Sequence, residues 1–224
     1  IREYDSREKR SLDFGYGWRL RLVTLDLQEE ADHGVIVQNP ASWRVEFDFT
    51  PEQVNPIDPR FHRAGFTSTE EKGGGELDFE TPDGVLEGNH ILSRDGVGNY
   101  FWFPSMIPFD PKVYVMTQLD GTRLRIDDER GLLQAIKPDG NSITVTRDGL
   151  VHSSGVGVSF ERDAFDRIVR IVDPLQGSLN YEYDGSGDLL LHTDPDGVQS
   201  TYDYHPGHYL RNWTEPGRSK PVRN

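Results

Sequence analysis

The stretch that decides the fold is YEYDGSGDLLLHTDP, residues 181–195, because the same pattern stands 21 residues before it and 21 residues after it. Residues 160–174 read FERDAFDRIVRIVDP, and residues 202–216 read YDYHPGHYLRNWTEP. A constant spacing indicates one small structural unit that is used repeatedly and that buries its apolar face by stacking on its neighbours. The sequence therefore predicts an extended β array.

Each repeat is predicted to be a β-hairpin. It begins with Tyr181-Glu182-Tyr183, whose two rings share one face because side chains at i and i+2 lie on the same side of a strand. A Gly-containing turn follows inside the hairpin, and an Asp-Pro-Asp-Gly turn ends it, so two turn types are expected. The positions expected to pack the hairpins and set their turns are Phe160, Tyr181, Tyr183, Tyr202, Tyr204, Asp184, Leu189, Pro174, Pro195, Gly197 and Pro216.

The same frame extends upstream, since residues 124–140 align with residues 181–197 at a constant offset of 57. That offset is not a multiple of 21, which indicates one shortened repeat near residue 150. We place hairpin repeats over residues 112–217 and a tail of a longer parent chain at 218–224. No segment of 12 residues shows a helical period, so the predicted fold class is all-β and mainly antiparallel.

The first half of the chain predicts a plug-like β region over residues 11–111, after a charged and frayed terminus at residues 1–10. Its clearest strand is WRVEFDF, residues 43–49, in which apolar and polar side chains alternate. Residues 77–88, LDFETPDGVLEG, predict a short hairpin around TPDG.

Composition limits the classes of partner. The formal net charge of −14 disfavours nucleic acid as a partner, because phosphate backbones are bound by basic surfaces. The absence of cysteine removes disulfides and thiolate chemistry. No apolar run is long enough to cross a bilayer, so we expect no membrane insertion of this chain.

The pattern Tyr-x-Tyr-Asp, a Gly-containing turn, Leu, then Thr-Asp-Pro-Asp-Gly resembles the YD repeat of Rhs proteins. Related repeats occur in the C components of insecticidal toxin complexes, bacterial wall-associated proteins and teneurins. The resemblance covers about residues 117–217, and DFGYGWRLRL (13–22) looks like the Gly-x-Gly-Trp segment that often precedes such arrays. It implies hairpins wound into a spiral β-sheet shell, which encloses a C-terminal toxin in several members and serves adhesion in teneurins.

Two positions depart from the repeat pattern. His205 stands where the other repeats have Asp163 and Asp184, and Arg162 stands where the second repeat has Tyr183.

The first functional hypothesis is a structural, non-catalytic fragment of such a shell, without a cofactor, secreted or at the bacterial cell surface. Its partners would be the remaining repeats and the C-terminal effector of the same parent protein. The turn positions of Asp194 and Asp196 favour this hypothesis, because turn chemistry alone accounts for those carboxylates. His205 and His208 are close in sequence, but the Pro-Gly between them indicates a turn rather than a zinc site.

The second hypothesis is a module that binds a cell-surface glycan or protein through the aromatic loop 95–111. Its contact patch would be Tyr100, Phe101, Trp102 and Phe103. An exposed Trp102 would favour binding, whereas a buried one would favour a plug. The third hypothesis is a glycan-active enzyme, which requires two carboxylates that converge in one cleft.

Overall fold

The computed structural model describes residues 2–20, 22, 24–27, 33–39, 43–70, 74–214 and 222–223. The regular secondary structure of these residues consists entirely of β-strands, and the strands pair antiparallel. The predicted fold class, all-β and mainly antiparallel, is therefore confirmed.

The strands of the first half are short. They are β1 (Arg2–Tyr4), β2 (Ser11–Leu12), β3 (Gly15–Tyr16), β4 (Trp18–Leu20), β5 (Thr24–Leu27), β6 (Val35–Asn39), β7 (Trp43–Phe49), β8 (Glu52–Gln53), β9 (Phe61–Arg63), β10 (Phe66–Ser68), β11 (Glu76–Phe79), β12 (Ile91–Arg94) and β13 (Tyr100–Trp102).

The strands of the second half follow one another through tight turns. They are β14 (Val113–Thr117), β15 (Arg123–Asp127), β16 (Gly131–Ile136), β17 (Ser142–Thr146), β18 (Gly149–His152), β19 (Gly157–Arg162), β20 (Ile168–Val172), β21 (Ser178–Tyr183), β22 (Leu189–Thr193), β23 (Gln199–His205), β24 (Tyr209–Thr214) and β25 (Val222–Arg223).

The chain forms two compact units. The array unit comprises residues 1–21 and 144–224, and the inserted unit comprises residues 22–143. The boundary that we predicted near residue 111 lies inside the inserted unit. The plug-like region that we predicted over residues 11–111 is likewise divided, because its residues 11–21 belong to the array unit.

In the array unit, strands β18 to β25 pair in chain order. The 21-residue repeat of the sequence is also a repeat of register, since Phe160 lies opposite Ile171, Tyr181 opposite His192, and Tyr202 opposite Trp213. Each of these three hairpins also has a β-bulge at the same place, directly before Arg162, Tyr183 and Tyr204. A bulge at a fixed position gives every hairpin the same local twist.

One turn geometry serves both inside and between the hairpins. In the turn that begins at Asp184, the Asp184 N–H donates to the carbonyl oxygen of Asp188, and the Asp184 carboxylate accepts from the N–H groups of Ser186 and Asp188. In the turn that begins at Asp194, the Asp194 N–H likewise donates to the carbonyl oxygen of Val198, and the Asp194 carboxylate accepts from the N–H groups of Asp196 and Val198. The expectation of two turn types is therefore wrong.

The fourth residue of each such turn takes the left-handed conformation, with φ of 91° at Gly187 and 79° at Gly197. Asp166 and Gln176 take the same place in the preceding turns with φ of 67° and 70°. A type I turn followed by a left-handed residue suits a three-residue hairpin loop. Pro174 and Pro195 occupy the second, exposed position of their turns, as predicted.

The inserted unit contains two four-stranded sheets, in the orders β10-β7-β6-β5 and β13-β12-β9-β8, and strands β11, β14, β15 and β16 paired in that order. The strand predicted at residues 43–49 is confirmed as β7. The hairpin predicted within residues 77–88 is wrong, because β11 pairs with β14 instead. That pairing buries Leu77 and Phe79 beside Tyr114 and Met116, which a local hairpin would not supply.

The two ends of the chain differ from expectation. Arg2–Tyr4 form β1 and pair with β4, so the frayed terminus predicted for residues 1–10 is wrong for these three residues. Of the predicted tail 218–224, Val222–Arg223 form β25 and pair with β24. The rest of that tail, and Pro216, lie outside the described residues.

Candidate functional site

The repeated hairpins of the array unit share one apolar face, which we name the ladder. Its aromatic members are Phe160, Tyr181 and Tyr202, each 6–7% exposed. Its aliphatic members, Ile168, Leu189 and Leu210, follow the same 21-residue spacing and are 0%, 0% and 8% exposed. Of the positions predicted to pack the hairpins, Phe160, Tyr181, Tyr202 and Leu189 are therefore buried as expected.

Residues 2–20 lie over the ladder, and we name this segment the clasp. The Phe14 ring centroid lies 4.9 Å from that of Tyr181, and the Trp18 centroid lies 5.3 Å from that of Tyr202. Phe14 is 1% exposed and Trp18 is 8% exposed. Residues from the beginning and the end of the chain thus form one aromatic core.

Hydrogen bonds fix the clasp in register with the ladder. Trp18 Nε1 donates to the Tyr204 hydroxyl at 2.8 Å. The Tyr4 hydroxyl donates to the His208 carbonyl oxygen at 2.8 Å and accepts from the Leu210 N–H at 2.8 Å. Because a buried polar group without a partner is costly, these bonds favour one position of the clasp over others.

The half-buried tyrosines Tyr183 and Tyr204 sit at the repeat positions where we expected core aromatics. The Tyr183 hydroxyl donates to the Ile168 carbonyl oxygen at 2.5 Å and so joins neighbouring hairpins. Burial raises the pKa of both phenols well above the ordinary value. Both tyrosines therefore stay neutral at physiological pH and act as hydrogen-bonding core residues.

Two glycines of the clasp stand where a side chain would clash, Gly15 against the array and Gly17 within the clasp itself. Gly15 has φ of +87°, and a Cβ atom there would lie 2.5 Å from the Gly187 carbonyl oxygen. Gly17 has φ of +73°, and its Cβ would lie 2.9 Å from the Asp5 carbonyl oxygen. A side chain at either place would be strained in conformation and would also clash, which accounts for the Gly-Tyr-Gly sequence.

Arg162, one departure from the repeat pattern, is a clasp contact. Its guanidinium pairs with the Asp13 carboxylate at 2.8 Å, and the Arg162 side chain is 10% exposed. The Asp13 carbonyl oxygen also accepts from the Ile168 N–H at 2.7 Å. Arg162 thus holds the clasp at the position that Tyr183 occupies in the second repeat.

The other departure, His205, lies in a turn whose neighbouring histidine, His208, contacts the clasp. The His208 ring stacks on Tyr16 with centroids 3.7 Å apart and planes at 18°. His208 Nδ1 lies 2.9 Å and 3.1 Å from the two carboxylate oxygens of Asp188, whose side chain is 7% exposed. Burial raises the pKa of the Asp188 carboxyl group. His205 itself is exposed.

A second feature of the clasp is Arg2, whose guanidinium lies among aromatic rings. Its Cζ atom is 5.4–6.0 Å from the ring centroids of Phe14, Trp18, Tyr181 and Tyr202. Arg2 Nη2 donates to the Tyr202 hydroxyl at 2.5 Å and lies 3.4 Å from His192 Nδ1. Cation–π attraction and these hydrogen bonds hold the clasp strand β1 on the ladder.

His192 is a neutral member of this cluster. Burial and the Arg2 charge lower the pKa of His192 from 6.5 to about 4. Because guanidinium nitrogens only donate, the contact with Arg2 makes Nδ1 the acceptor, and the ring proton then lies on Nε2.

The lowered pKa predicts a loss of stability in acid. The unfolded chain binds a proton at His192 below about pH 6.5, whereas the folded chain binds it only below about pH 4, so unfolding is favoured increasingly between those values. The free energy of unfolding of the unmodified chain should therefore fall as the pH is lowered from 7 to 4.5. In His192→Gln this fall should be smaller by about 1–3 kcal/mol. Urea unfolding at pH 7, 5.5 and 4.5 measures it, with the exposed His205→Gln as control. An unchanged pH profile in His192→Gln would contradict the assignment.

The aromatic patch predicted at residues 100–103 is not one surface. Trp102 is 0% exposed and packs on Phe79 and Phe109, with ring centroids 5.4 Å and 5.1 Å away. Tyr100 and Phe101 are half-buried, and Phe103 is 40% exposed. The prediction of a joint contact patch fails because the central ring belongs to the core of the inserted unit.

Acidic residues of the turns are engaged by backbone N–H groups. Asp184 and Asp194 accept backbone N–H groups as described above, and Asp127 accepts those of Glu129 and Arg130. Within the described ranges, no group of three or more His, Asp or Glu side chains could hold a metal ion. A helix that could span a bilayer is likewise not found in the described part of the chain.

Comparisons with known proteins add no family. No family model matches this chain, and no curated protein is significantly similar to it. The clasp is the structural element that local sequence patterns did not place. Its signals in the sequence were the Gly-Tyr-Gly of residues 15–17 and Arg162, the departure in the first repeat, since both lie at its contacts.

Proposed function

We propose that this chain is a structural, non-catalytic fragment of a YD-repeat shell that encloses or presents a C-terminal effector domain of the same parent protein. The observation that carries the proposal is the recurrence of one register, one bulge and one buried ladder position in three successive hairpins. A unit of this kind extends by adding further hairpins, because each contacts only its neighbours.

In this proposal the clasp seals the apolar face of the repeats described here. Phe14 and Trp18 cover ladder residues that would otherwise face water. The remaining repeats and the effector would be the partners of the array, and the parent protein would be secreted or displayed at a bacterial surface. The turn roles of Asp184 and Asp194 support a scaffold, because these carboxylates are engaged by backbone N–H groups.

The binding-module alternative has less support. It depended on an aromatic platform in loop 95–111, and Trp102, the largest ring of that platform, is fully buried. We therefore do not carry it forward as a proposed function.

Protease protection in the full parent polypeptide tests the proposal. The expected result is that the C-terminal domain resists trypsin at concentrations that digest the same domain when it is expressed alone. Leu189→Ala opens a cavity in the ladder and should therefore shorten the half-life of the C-terminal domain in trypsin. Leu190→Ala should leave that half-life unchanged, since the Leu190 side chain is 47% exposed. Equal digestion of the domain in the parent and in isolation would overturn the proposal.

A further inference from the structure

Seven Asp-Gly pairs occur in the chain, and the fold restrains them unequally. They begin at Asp83, Asp95, Asp120, Asp139, Asp148, Asp184 and Asp196. Glycine has no Cβ atom, so its backbone nitrogen is open to approach by the preceding carboxyl group. A hydrogen bond to the carboxylate or from the glycine N–H opposes this approach, because the bond must break first. The hydrogen bonds of each pair therefore decide its reactivity.

Asp83-Gly84 is the pair whose carboxylate and N–H group are both free. It lies in an exposed turn that the Val85 N–H closes by donating to the Pro82 carbonyl oxygen at 3.1 Å. Among the described residues, the Asp83 carboxylate has no hydrogen-bond or ion-pair partner, and the Gly84 N–H has no acceptor. Gly84 has φ of +85°, so a glycine is favoured at this place in the turn.

The exposed pairs Asp95-Gly96 and Asp184-Gly185 resemble it in having a glycine N–H without an acceptor in the described part of the chain. Their carboxylates, however, are held. Asp95 Oδ1 accepts three backbone N–H groups at 2.8–3.0 Å, and Asp184 Oδ1 accepts two at 2.9–3.0 Å. Hydrogen bonds to a charged acceptor are stronger than neutral ones, so both carboxylates are kept away from the glycine nitrogen.

The remaining pairs are restrained at the glycine. Three of them donate that N–H group to a backbone carbonyl oxygen at 2.9–3.0 Å, at Gly121, Gly140 and Gly197. Gly149 is buried in strand β18. Asp196 gives the closest comparison with Asp83, because its carboxylate also has no partner within the described ranges and the two pairs differ at the glycine N–H.

We infer that Asp83-Gly84 is the place where the folded chain converts aspartate to isoaspartate. The Gly84 nitrogen bonds to the Asp83 Cγ atom, a Cγ–O bond breaks, and the nitrogen proton and the carboxyl hydroxyl group leave as water. Water then adds to the resulting cyclic imide and breaks one of its two C–N bonds. One product is the original aspartate, and the other is isoaspartate, in which the main chain runs through Cγ.

Isoaspartate at this site gives the chain a new reactive group and a changed turn. Its free α-carboxylate is the group that isoaspartyl methyltransferases esterify with the methyl group of S-adenosylmethionine. The main chain gains one atom between Pro82 and Val85, so the hydrogen bond that closes the turn loses its geometry. Val85 packs against the core of the inserted unit, so the change reaches that core. The inference does not depend on the proposed function, because it concerns one turn alone.

Incubation of the whole folded chain in H₂¹⁸O at pH 7 tests the inference, because every hydrolysed imide takes up ¹⁸O. Mass spectrometry of proteolytic peptides gives the labelling rate at each pair. We expect Asp83 to be labelled about 10-fold or more faster than Asp95 and Asp184, whose charged hydrogen bonds must break. It should be labelled about 2- to 10-fold faster than Asp196, where one neutral hydrogen bond must break.

The same chain unfolded in guanidinium chloride is the matched control, since its sequence is identical and its hydrogen bonds are lost. There the four pairs should be labelled at similar rates. If Asp83 were labelled no faster than the other three in the folded chain, or if the folded and unfolded chains gave the same ratios of rates, the inference would be overturned.

Asp83→Glu gives a second test, because a glutamate side chain is one carbon too long to form the same ring. After prolonged incubation, methylation of this variant by an isoaspartyl methyltransferase and labelled S-adenosylmethionine should be several-fold lower than that of the unmodified chain. Asp196→Glu is the matched exposed control and should leave methylation unchanged. Methylation that persists in Asp83→Glu would place the isoaspartate elsewhere and overturn the assignment.

Discussion

Trp18→Ala is expected to lower the free energy of unfolding of the array unit by about 3–5 kcal/mol, the range for truncation of a buried aromatic ring. The side chain is 8% exposed, packs on Tyr4 and Tyr202, and donates its Nε1 hydrogen to Tyr204. Truncation leaves a cavity between the clasp and the ladder and an unpaired tyrosine hydroxyl. Amide hydrogen exchange in strands β21 and β23 measures the effect on the array unit itself.

Trp18→Phe is the matched control for this prediction. It keeps a ring in the site and removes the hydrogen bond to Tyr204, so we expect a loss of about 1 kcal/mol from that bond plus a smaller packing loss. If protection in β21 and β23 were the same in Trp18→Ala as in the unmodified chain, the clasp would not belong to the core of the array.

Leu189→Ala is expected to lower the free energy of unfolding by about 2–5 kcal/mol. Leu189 is 0% exposed at the aliphatic position of the ladder, between the hairpins that carry Ile168 and Leu210. Its neighbour Leu190 lies on the same strand, is 47% exposed and offers an internal control. Leu190→Ala should change stability by less than about 0.5 kcal/mol, as surface substitutions usually do.

Chemical denaturation of the two leucine variants in parallel measures the difference. The same atoms are removed at adjacent positions, so strand propensity and composition are matched and only burial differs. Equal losses in the two variants would mean that β22 does not present Leu189 to a buried ladder.

The sequence predicted the ladder well because the constraint that creates it is local. A fixed 21-residue spacing and the alternation of faces along a strand are sufficient to place Phe160, Tyr181 and Tyr202 on one side. The turns were harder to predict. Gly187 and Gln176 differ chemically, but both occupy the left-handed position of the same turn, because the aspartate at the start supplies most of its hydrogen bonds.

The clasp could not be placed from the sequence because its contacts cross nearly the whole chain. Arg2 belongs to a charged stretch, which indicates a solvated terminus, and only the aromatic rings gathered around it in the fold make its burial favourable. Trp102 shows the same limit. Its neighbours in sequence left both a surface patch and the favoured plug open, and its contacts with Phe79 and Phe109 decided between them.

The array unit is discontinuous, and this affects how the chain can fold during synthesis. The clasp leaves the ribosome first, but its ladder partners follow only after the whole of residues 22–143 has been made. Pairing between such distant segments is slow, because closing a long loop costs entropy before any contact forms. The inserted unit can therefore complete its own core while Phe14 and Trp18 still lack their partners. In that interval the nascent chain presents aromatic side chains that a chaperone would bind.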